Sequence, residues 1–485
     1  MANKSLKSLA TSGIVWSAID KFAIQLGQFI IGIVLARLLI PRDFGLIGML
    51  TIFISISQSF IDSGMGSGLI QKKNRKDIDF STVFVFNFLV SVLIYAMLYY
   101  SSPLIAEFYN MPQLTLITRV LTLNIIINSL TIVQRSKLTI NIDFKTLAIV
   151  NVIAVLIGGL TAIILAFNDF GVWALVAQNL IGALTSVVSI SYLSRWKPSI
   201  QFSKQSFKEL FGYGSKLLIA GIYAQGLNNI YNIAIGKAYS PVDLGFYTRA
   251  KSFVEFSAGT VTSILQKVTF PILASLQDNE NRMVSIYRQI IKMTSFFIFP
   301  IMTLLSLLAD PLIRIVLGEK WIEVIALMQW FSFARIVYPI SVINMNILKV
   351  IGRSDLFLKV DLAKFPIVVI AMIITIPLGV KAMVIAQVVT SIIAFFINAY
   401  MPGKLFGYGA LAQLKDMMPI ILATALMALV VFIVTFKLDN NYLKLIFGTI
   451  SGFVTYSIVA NIFKLQELKE VRMLLIKLMK KSFEK

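Results

Sequence analysis

The sequence predicts an all-α integral membrane protein with about 14 transmembrane helices, in which two six-helix repeats form two lobes and two further helices follow. Three observations predict this fold: the apolar composition, the length of the apolar runs and an internal duplication. Hydrophobic residues make up 58% of the 485 residues and charged residues only 14%, with a mean hydropathy of +0.84. Soluble domains carry about 25% charged residues, so this composition indicates a chain that lies in lipid.

The apolar runs are long enough to cross a membrane as helices. Each approaches the roughly 20 residues that a helix needs to span the hydrocarbon core. Only helices and closed barrels satisfy every backbone polar group in lipid, and barrel strands would alternate in segments of roughly 10 residues. The predicted spans are 14–37, 44–66, 80–101, 113–133, 147–167, 171–193, 211–235, 246–268, 290–308, 323–346, 361–378, 381–400, 418–436 and 443–463.

An internal duplication relates the two halves of the chain. The segment ARLLIPRDFGL at 36–46 recurs as GKAYSPVDLGF at 236–246, and GVWALVAQ at 171–178 recurs as GVKAMVIAQ at 379–387. At one constant offset the first pair aligns Pro41 with Pro241, Asp43 with Asp243, and Gly45 with Gly245. A duplicated apolar chain predicts two repeats that face each other, with a binding site between them near the bilayer midplane.

The duplication also sets the predicted domain boundaries. We expect an N-terminal lobe of helices 1–6 at residues 1–200 and a C-terminal lobe of helices 7–12 at 201–403. Predicted helices 13 and 14 occupy 404–463, outside the duplication. The basic amphipathic tail at 464–485 is typical of a helix that lies on the cytoplasmic leaflet. Because each repeat has an even number of helices, both have the same orientation and are related by an axis along the membrane normal.

The basic residues predict the topology. With both termini placed in the cytoplasm, that side of the membrane holds 31 Lys and Arg residues and the opposite side holds 8. The positive-inside rule therefore favours cytoplasmic termini. This distribution also accounts for most of the net charge of +21, so we predict no nucleic-acid partner. The absence of Cys and His from the sequence excludes thiolate and imidazole metal sites as well as cysteine nucleophiles.

Polar residues follow one face of two predicted helices. Helix 1 carries Ser17, Lys21, Gln25 and Gln28 at spacings of 4, 4 and 3, and helix 7 carries Gln225, Asn228, Asn229 and Asn232. Stripes of this kind either hold helices together or line a water-filled cavity. The positional match between the repeats favours a cavity, in which these amides contact the substrate.

Ionisable residues within the spans form the predicted substrate and ion-coupling sites. Five are basic and three acidic, namely Lys21, Arg119, Arg249, Lys251, Arg335, Asp20, Asp62 and Glu255. The basic surplus favours an anion such as a phosphate or diphosphate, which the forked donors of Arg suit. We expect Arg119 and Arg335, on helices 4 and 10, to receive it from opposite lobes.

Each of these assignments has a structural alternative. Lys251 and Glu255 stand four residues apart on one predicted helix and would form a local ion pair. Arg249, near the start of its span, would extend to the membrane interface. Arg119 and Arg335 would each pair with a carboxylate or extend to the interface.

The energy source is predicted to be a gradient. The sequence contains no GxxxxGK[ST] loop for ATP, and no cofactor is predicted. An isolated carboxylate in the membrane can change its protonation as access alternates. We expect Asp62, and after it Asp20 or Glu255, to couple transport to protons or sodium. The alternative is that Asp62 pairs with Lys21 and never titrates.

The residues also resemble a known family. ATSGIVWSAIDKFAIQLGQFIIGIVLARLLIPRDFGLIGML at 10–50 is similar to the start of Wzx-type polysaccharide transporters. GVWALV at 171–176 and YGSKLLIAG at 213–221 resemble the branch that includes the colanic-acid and teichuronic-acid exporters. The family belongs to the multidrug/oligosaccharidyl-lipid/polysaccharide exporter superfamily, and the resemblance covers essentially the whole chain.

The resemblance implies a V-shaped bundle with six helices per lobe. It implies a non-enzymatic flippase that moves undecaprenyl-diphosphate-linked oligosaccharide repeat units across the bacterial cytoplasmic membrane for lipopolysaccharide or exopolysaccharide biosynthesis. Expected partners are this lipid-linked oligosaccharide, membrane lipids, and the polysaccharide polymerase with its chain-length machinery. No family motif transfers a specific site residue to this chain.

Three other functions compete with this one. A cation-coupled multidrug exporter on the same fold should have an acidic lumen, whereas the surplus here is basic. A peptidoglycan-precursor flippase has the same number of helices but a different opening motif. A membrane-embedded glycosyltransferase needs a large extramembrane loop, and the longest loop predicted here, near 269–289, has about 21 residues.

Overall fold

The computed structural model describes residues 6–62, 64–194, 196 and 198–483. These residues form an all-α membrane protein, and no strand occurs among them. In the first half the helices are α1 Leu6–Leu38, α2 Pro41–Asp62, α3 Met65–Gln71, α4 Asp77–Phe108, α5 Gln113–Leu121, α6 Leu123–Ser129, α7 Ile132–Ile140, α8 Phe144–Phe167, α9 Val172–Ser194 and α10 Lys204–Ala238.

The second half of the chain also consists of helices joined by short connections. Its helices are α11 Pro241–Ala274, α12 Glu280–Leu307, α13 Ala309–Val316, α14 Glu323–Ile336, α15 Tyr338–Val350, α16 Ser354–Thr375, α17 Val380–Phe406, α18 Ala410–Phe436, α19 Asn441–Ile462 and α20 Gln466–Phe483. Short 3₁₀ turns lie at Glu319–Trp321 and Ile376–Leu378.

The helices coincide with the predicted spans. To within one residue at either end, every predicted span lies in one helix or in a run of consecutive helices, and eleven of the described segments are long and apolar enough to cross a membrane. The three predicted spans outside that set lie in α10, α11 and α16, each of which carries several charged residues. Their lengths of 35, 34 and 22 residues still suffice to cross.

The chain divides into two compact units, Met1–Thr248 and Arg249–Lys485. In the first, α8 packs against α1 and α9, and α10 packs along α2. Small residues bring α8 and α9 together: a Cβ on Gly158 would lie 2.7 Å from the carbonyl oxygen of Gln178. Close backbone approach of this kind stabilises helix pairs in lipid, where apolar burial alone gives little driving force.

The cytoplasmic-side loops of the first unit, as predicted from charge, include an ion-pair cluster. Lys72 Nζ lies 3.0 Å from Asp79 Oδ1 and 2.9 Å from Glu209 Oε2, which ties the start of α10 to the start of α4. Burial lowers the pKa of Lys72, but its hydrogen bonds to Glu209 and Asp79 outweigh burial and leave the pKa raised. Lys72 therefore stays charged in the neutral pH range.

In the second unit, α18 packs on α12 and α19, while α14 and α16 pack on α17. A buried polar network joins α12, α15 and α18. Asn344 Nδ2 donates to Gln413 Oε1 at 3.1 Å, Gln413 Nε2 donates to Tyr287 Oη at 3.2 Å, and the Tyr287 hydroxyl donates to Asn344. All three side chains are fully buried, so their mutual hydrogen bonds replace those to water.

Candidate functional site

A cluster of charged side chains in the second unit contains four of the predicted site residues. Arg335, at the end of α14, places its terminal nitrogen 2.8 Å from Glu255 Oε1 of α11. The guanidinium carbon also lies 5.0 Å from the ring centre of Tyr338, a cation–π distance. Lys251, one turn before Glu255, lies within electrostatic range of both Glu255 and Arg335.

Arg249 precedes this cluster on α11. Because α11 begins at Pro241, Arg249 lies two turns into the helix, and its Nε atom is buried. Arg249, Lys251 and Arg335 together carry three positive charges, and Glu255 carries one negative charge. The cluster therefore has a net positive charge, with one guanidinium already facing a carboxylate.

Arg119 lies in the first unit, on α5. Its Nε donates to Ser102 Oγ at 3.0 Å, and its guanidinium carbon lies 4.4 Å from the ring centre of Tyr99. Both contacts are to α4, which packs beside α5. Arg119 and Arg335 thus belong to different compact units.

A second polar cluster crosses four helices of the first unit. The Asn151 side chain links two charges: its Nδ2 donates to Asp20 Oδ1 at 3.1 Å, and its Oδ1 accepts from an Arg135 terminal nitrogen at 3.0 Å. The same Arg135 nitrogen donates to Ser186 Oγ at 2.9 Å. Asp20 of α1 is thereby connected through one amide to a cation on α7.

Sequence reasoning missed Arg135 as part of this cluster. Arg135 lies two residues beyond the predicted span 113–133, so hydropathy predicts a position in a cytoplasmic loop. The structure continues helically through α7, and the guanidinium is satisfied by side chains of α8 and α9. A signal was present, since Asn151 is a polar residue in the strongly apolar predicted span 147–167.

The polar stripes are distributed between buried and exposed positions. On α1, Gln25 is half-buried, whereas Lys21 and Gln28 are exposed; on α10, Gln225 is half-buried and Asn228 is exposed. Asn229 and Asn232 are buried, and Asn229 Nδ2 donates to the Gln225 carbonyl at 3.0 Å. The side chain of Asp62, at the end of α2, lies outside the described residues.

Comparison with known proteins decides the family. Residues 34–326 match the model of a family described as "Polysaccharide biosynthesis protein", which is more than half of the chain. The chain belongs to this polysaccharide biosynthesis family.

Two relatives resemble this chain along most of their length. The teichuronic acid biosynthesis protein TuaB of Bacillus subtilis (strain 168) is 26% identical over 440 residues, covering 90% of this chain and 91% of TuaB. The lipopolysaccharide biosynthesis protein WzxC of Escherichia coli (strain K12) is 22% identical and covers 81% of each chain. The family and these relatives confirm the expected Wzx-type polysaccharide transporter resemblance.

Solved structures show the same fold for this family member. The lipid II flippase MurJ superposes with a TM-score of 0.78 at 17% identity, covering 93% of this chain and 98% of MurJ. An inward-facing multidrug resistance transporter of the MATE family gives a TM-score of 0.65 at 16% identity, with 82% of this chain and all of that one covered. At these identities the likeness shows the fold alone, and it confirms the expected all-α integral membrane fold.

Proposed function

We propose that this protein flips undecaprenyl-diphosphate-linked oligosaccharide repeat units across the bacterial cytoplasmic membrane by alternating access, for surface polysaccharide biosynthesis. The family match over residues 34–326 carries the proposal. Its relatives are named for teichuronic acid, lipopolysaccharide and succinoglycan biosynthesis, the last as a transport protein. The absence of a phosphate loop from the sequence supports a transporter driven by a gradient and not by ATP.

The diphosphate of the substrate binds, in this proposal, at the Arg249–Lys251–Arg335 cluster. A diphosphate loses its hydration when it enters the membrane, and such a loss is compensated only by close opposite charges with hydrogen bonds. Arg335 supplies a fork of donors for this purpose. The exposed or half-buried amides of Gln25, Gln28, Gln225 and Asn228 supply hydrogen bonds for the sugar hydroxyls, and Lys21 and Arg119 add positive charge.

Glu255 links the same site to the proposed ion coupling. Glu255 accepts a hydrogen bond from Arg335, so an arriving diphosphate competes with the carboxylate for the guanidinium. Once displaced, Glu255 loses its counter-charge and takes up a proton or sodium ion more readily. Asp20, held by Asn151, and Asp62 are the other proposed coupling carboxylates. If Glu255→Gln, Asp20→Asn and Asp62→Asn each leave the response of flipping to pH and sodium unchanged, these coupling roles are wrong.

The decisive experiment measures flipping of a fluorescent undecaprenyl-diphosphate-linked oligosaccharide in proteoliposomes. We expect Arg335→Ala to reduce flipping about tenfold or more, because hydrogen bonds to charged groups contribute about 1.5–3 kcal/mol each. Arg335→Lys keeps the charge without the fork and should retain more activity. Arg353→Ala is the matched control, since Arg353 is exposed and hydrogen-bonds Asp355 beside it in sequence.

A further variant separates binding from folding. Arg335→Ala leaves Glu255 without its partner, which itself destabilises the protein. The double variant Arg335→Gln, Glu255→Gln removes both charges and leaves two amides that can hydrogen-bond to each other, and it should fold yet flip poorly. Normal flipping by this folded double variant would refute the assignment of Arg335 to the diphosphate.

The same proteoliposomes test the competing functions on this fold. A wild-type protein that flips a peptidoglycan precursor, or exports a cationic dye, but not the lipid-linked oligosaccharide would refute the proposed substrate. We also propose that the protein resides in the inner membrane with both termini in the cytoplasm and acts beside the polymerase and chain-length machinery. Its basic tail is proposed to contact anionic lipid headgroups.

A further inference from the structure

The two copies of the Pro-x-Asp-x-Gly motif pack against each other reciprocally. Gly45 of α2 faces the backbone of Pro241, and Gly245 of α11 faces the backbone of Pro41. A Cβ on Gly45 would overlap the carbonyl oxygen of Pro241 and lie 3.0 Å from its Cα; a Cβ on Gly245 would overlap the carbonyl oxygen of Pro41 and lie 3.2 Å from its Cα. The duplicated glycines are therefore the positions at which the duplicated helices meet.

The contact continues along α2 through Gly48, and the end of α10 joins it through Gly236. A Cβ on Gly48 would lie 3.2 Å from Leu244 Cγ and 3.3 Å from Thr248 Cγ2. Leu244 is fully buried, and a Cβ on Gly236, near the end of α10, would lie 3.4 Å from Leu244 Cδ2. All these residues lie within the first compact unit. The contact is built from van der Waals packing of glycine against backbone and apolar side chains.

The remaining motif residues hold the two helix starts in place. Asp43 Oδ2 accepts the backbone N–H of Ile40 at 3.2 Å, and Asp243 Oδ2 accepts that of Ser240 at 3.1 Å. Pro41 and Pro241 are the first residues of α2 and α11, where the fixed φ of proline suits the first turn. Each carbonyl that meets a glycine is thus held at a capped, preformed helix start.

We propose that this glycine contact is the outer gate of the transporter, at which α2 and α11 close on each other and separate once in each transport cycle. The inference rests on the proposed function, since a gate is needed only by a transporter. The charge distribution predicts that these helix starts lie on the side of the membrane opposite the cytoplasm. Movement of one repeat against the other must open that side to release a substrate. A contact made by close van der Waals packing of glycine can separate and re-form at low cost.

The first test traps the contact with a disulfide. The chain contains no cysteine, so the double variant Gly48→Cys, Thr248→Cys is the sole thiol pair. A Cβ at position 48 would lie 3.3 Å from Thr248 Cγ2, which occupies one of the γ positions that a cysteine sulfur at 248 can take. We expect rapid oxidation, loss of flipping in the oxidised protein and recovery after reduction, with both single-cysteine variants unaffected by oxidant. Failure to form the disulfide, or full flipping by the oxidised protein, would overturn the gate.

The second test removes the close approach. Gly45→Ala and Gly245→Ala, each added to the cysteine pair, should slow disulfide formation by about tenfold, because the added methyl group would overlap the carbonyl oxygen of the facing proline and hold the two helices apart. The reciprocal geometry predicts similar effects from both positions. Gly212→Ala is the matched control, since a Cβ there would meet no atom within 4 Å. Unchanged disulfide formation in both alanine variants would contradict the assigned contact.

A labelling measurement distinguishes failure of the gate from failure of the proposed function. The single variant Gly48→Cys should react slowly with a membrane-impermeant maleimide added from outside, and only as the contact opens, whatever the substrate is. Measurable labelling without flipping of the lipid-linked oligosaccharide would refute the proposed substrate and retain the gate. Flipping with a thiol that never reacts would refute the gate and retain the function.

Discussion

Asp43 and Asp243 perform the same local task at the starts of α2 and α11. Each is the third residue of its helix, and each carboxylate accepts the backbone N–H of the residue three positions earlier. This is half of a capping box, which satisfies a backbone donor that the helix itself leaves free. At the second site Ser240 Oγ completes the box by accepting the backbone N–H of Asp243 at 3.1 Å.

The capping role predicts how substitutions of Asp43 behave. Asp43→Asn keeps a side-chain oxygen acceptor and should have a thermal midpoint near that of the wild type, with normal flipping. Asp43→Ala removes the acceptor and should lower the free energy of unfolding by about 0.5–2 kcal/mol. Thermal unfolding in detergent measures both, with Asp243→Asn and Asp243→Ala as the matched pair. A stable Asp43→Asn variant that cannot flip would instead indicate a role for the negative charge.

At the site, sequence spacing identified the charged residues but not all of their partners. Spacing placed Lys251 and Glu255 on one face of a helix, and the structure adds a contact from Glu255 to Arg335, 80 residues away. Hydropathy predicts a loop position for Arg135, but the structure places it in α7, where its side chain donates to Asn151. Pairings of this kind depend on which helices become neighbours, and hydropathy carries no information on that choice.

At the scale of helices, hydropathy predicted where the spans lie but not where one span is divided between two or more helices. The predicted span 113–133 is divided between α5, α6 and α7, and the span 323–346 between α14 and α15. The second division falls just before Pro339, as expected from the loss of a backbone donor. Pro300, Pro366 and Pro419, however, lie inside continuous helices. A proline within a predicted span therefore does not by itself mark the end of a helix.

The buried network of Tyr287, Asn344 and Gln413 fixes α18 to α12 and α15 within the second unit. Tyr408, in the turn before α18, extends the network: its hydroxyl donates to Asp416 at 2.9 Å, and Asp416 receives two hydrogen bonds from Arg288. Burial, and then the Asp416 charge, raise the pKa of Tyr408, so its hydroxyl remains a donor. A helix outside the duplication is thereby attached through polar side chains.

This network predicts a large effect from one substitution. Gln413→Leu should lower the free energy of unfolding by about 1–3 kcal/mol, because Asn344 and Tyr287 lose partners in a buried site. Gln205→Leu is the matched control, since Gln205 also lies in the first turn of a long helix but is exposed. Thermal unfolding of both variants in the same detergent gives the comparison. Equal midpoints would show that the network contributes little to stability.

For the whole molecule, the number of membrane crossings and the distribution of basic residues together determine the predicted topology. Fourteen crossings place both termini on one side of the membrane, and the distribution of 31 against 8 basic residues places that side in the cytoplasm. Eleven crossings, the number of described segments that are apolar enough by composition, would place the termini on opposite sides. The location of the C-terminus therefore distinguishes fourteen crossings from eleven.

We predict that reporters fused after residues 74, 201, 278 and 465 all report the cytoplasm, because an even number of predicted spans precedes each of them. A thiol introduced by Ser240→Cys, between α10 and α11, should react with a membrane-impermeant maleimide from the outside. Together these outcomes require α10 and α11 to cross as a pair, even though both carry charged side chains within their length. The fourteen-helix topology would be contradicted by a stably expressed fusion at 465 whose reporter is active outside the cytoplasm. An unreactive Ser240→Cys thiol would contradict the outer location of the proposed gate.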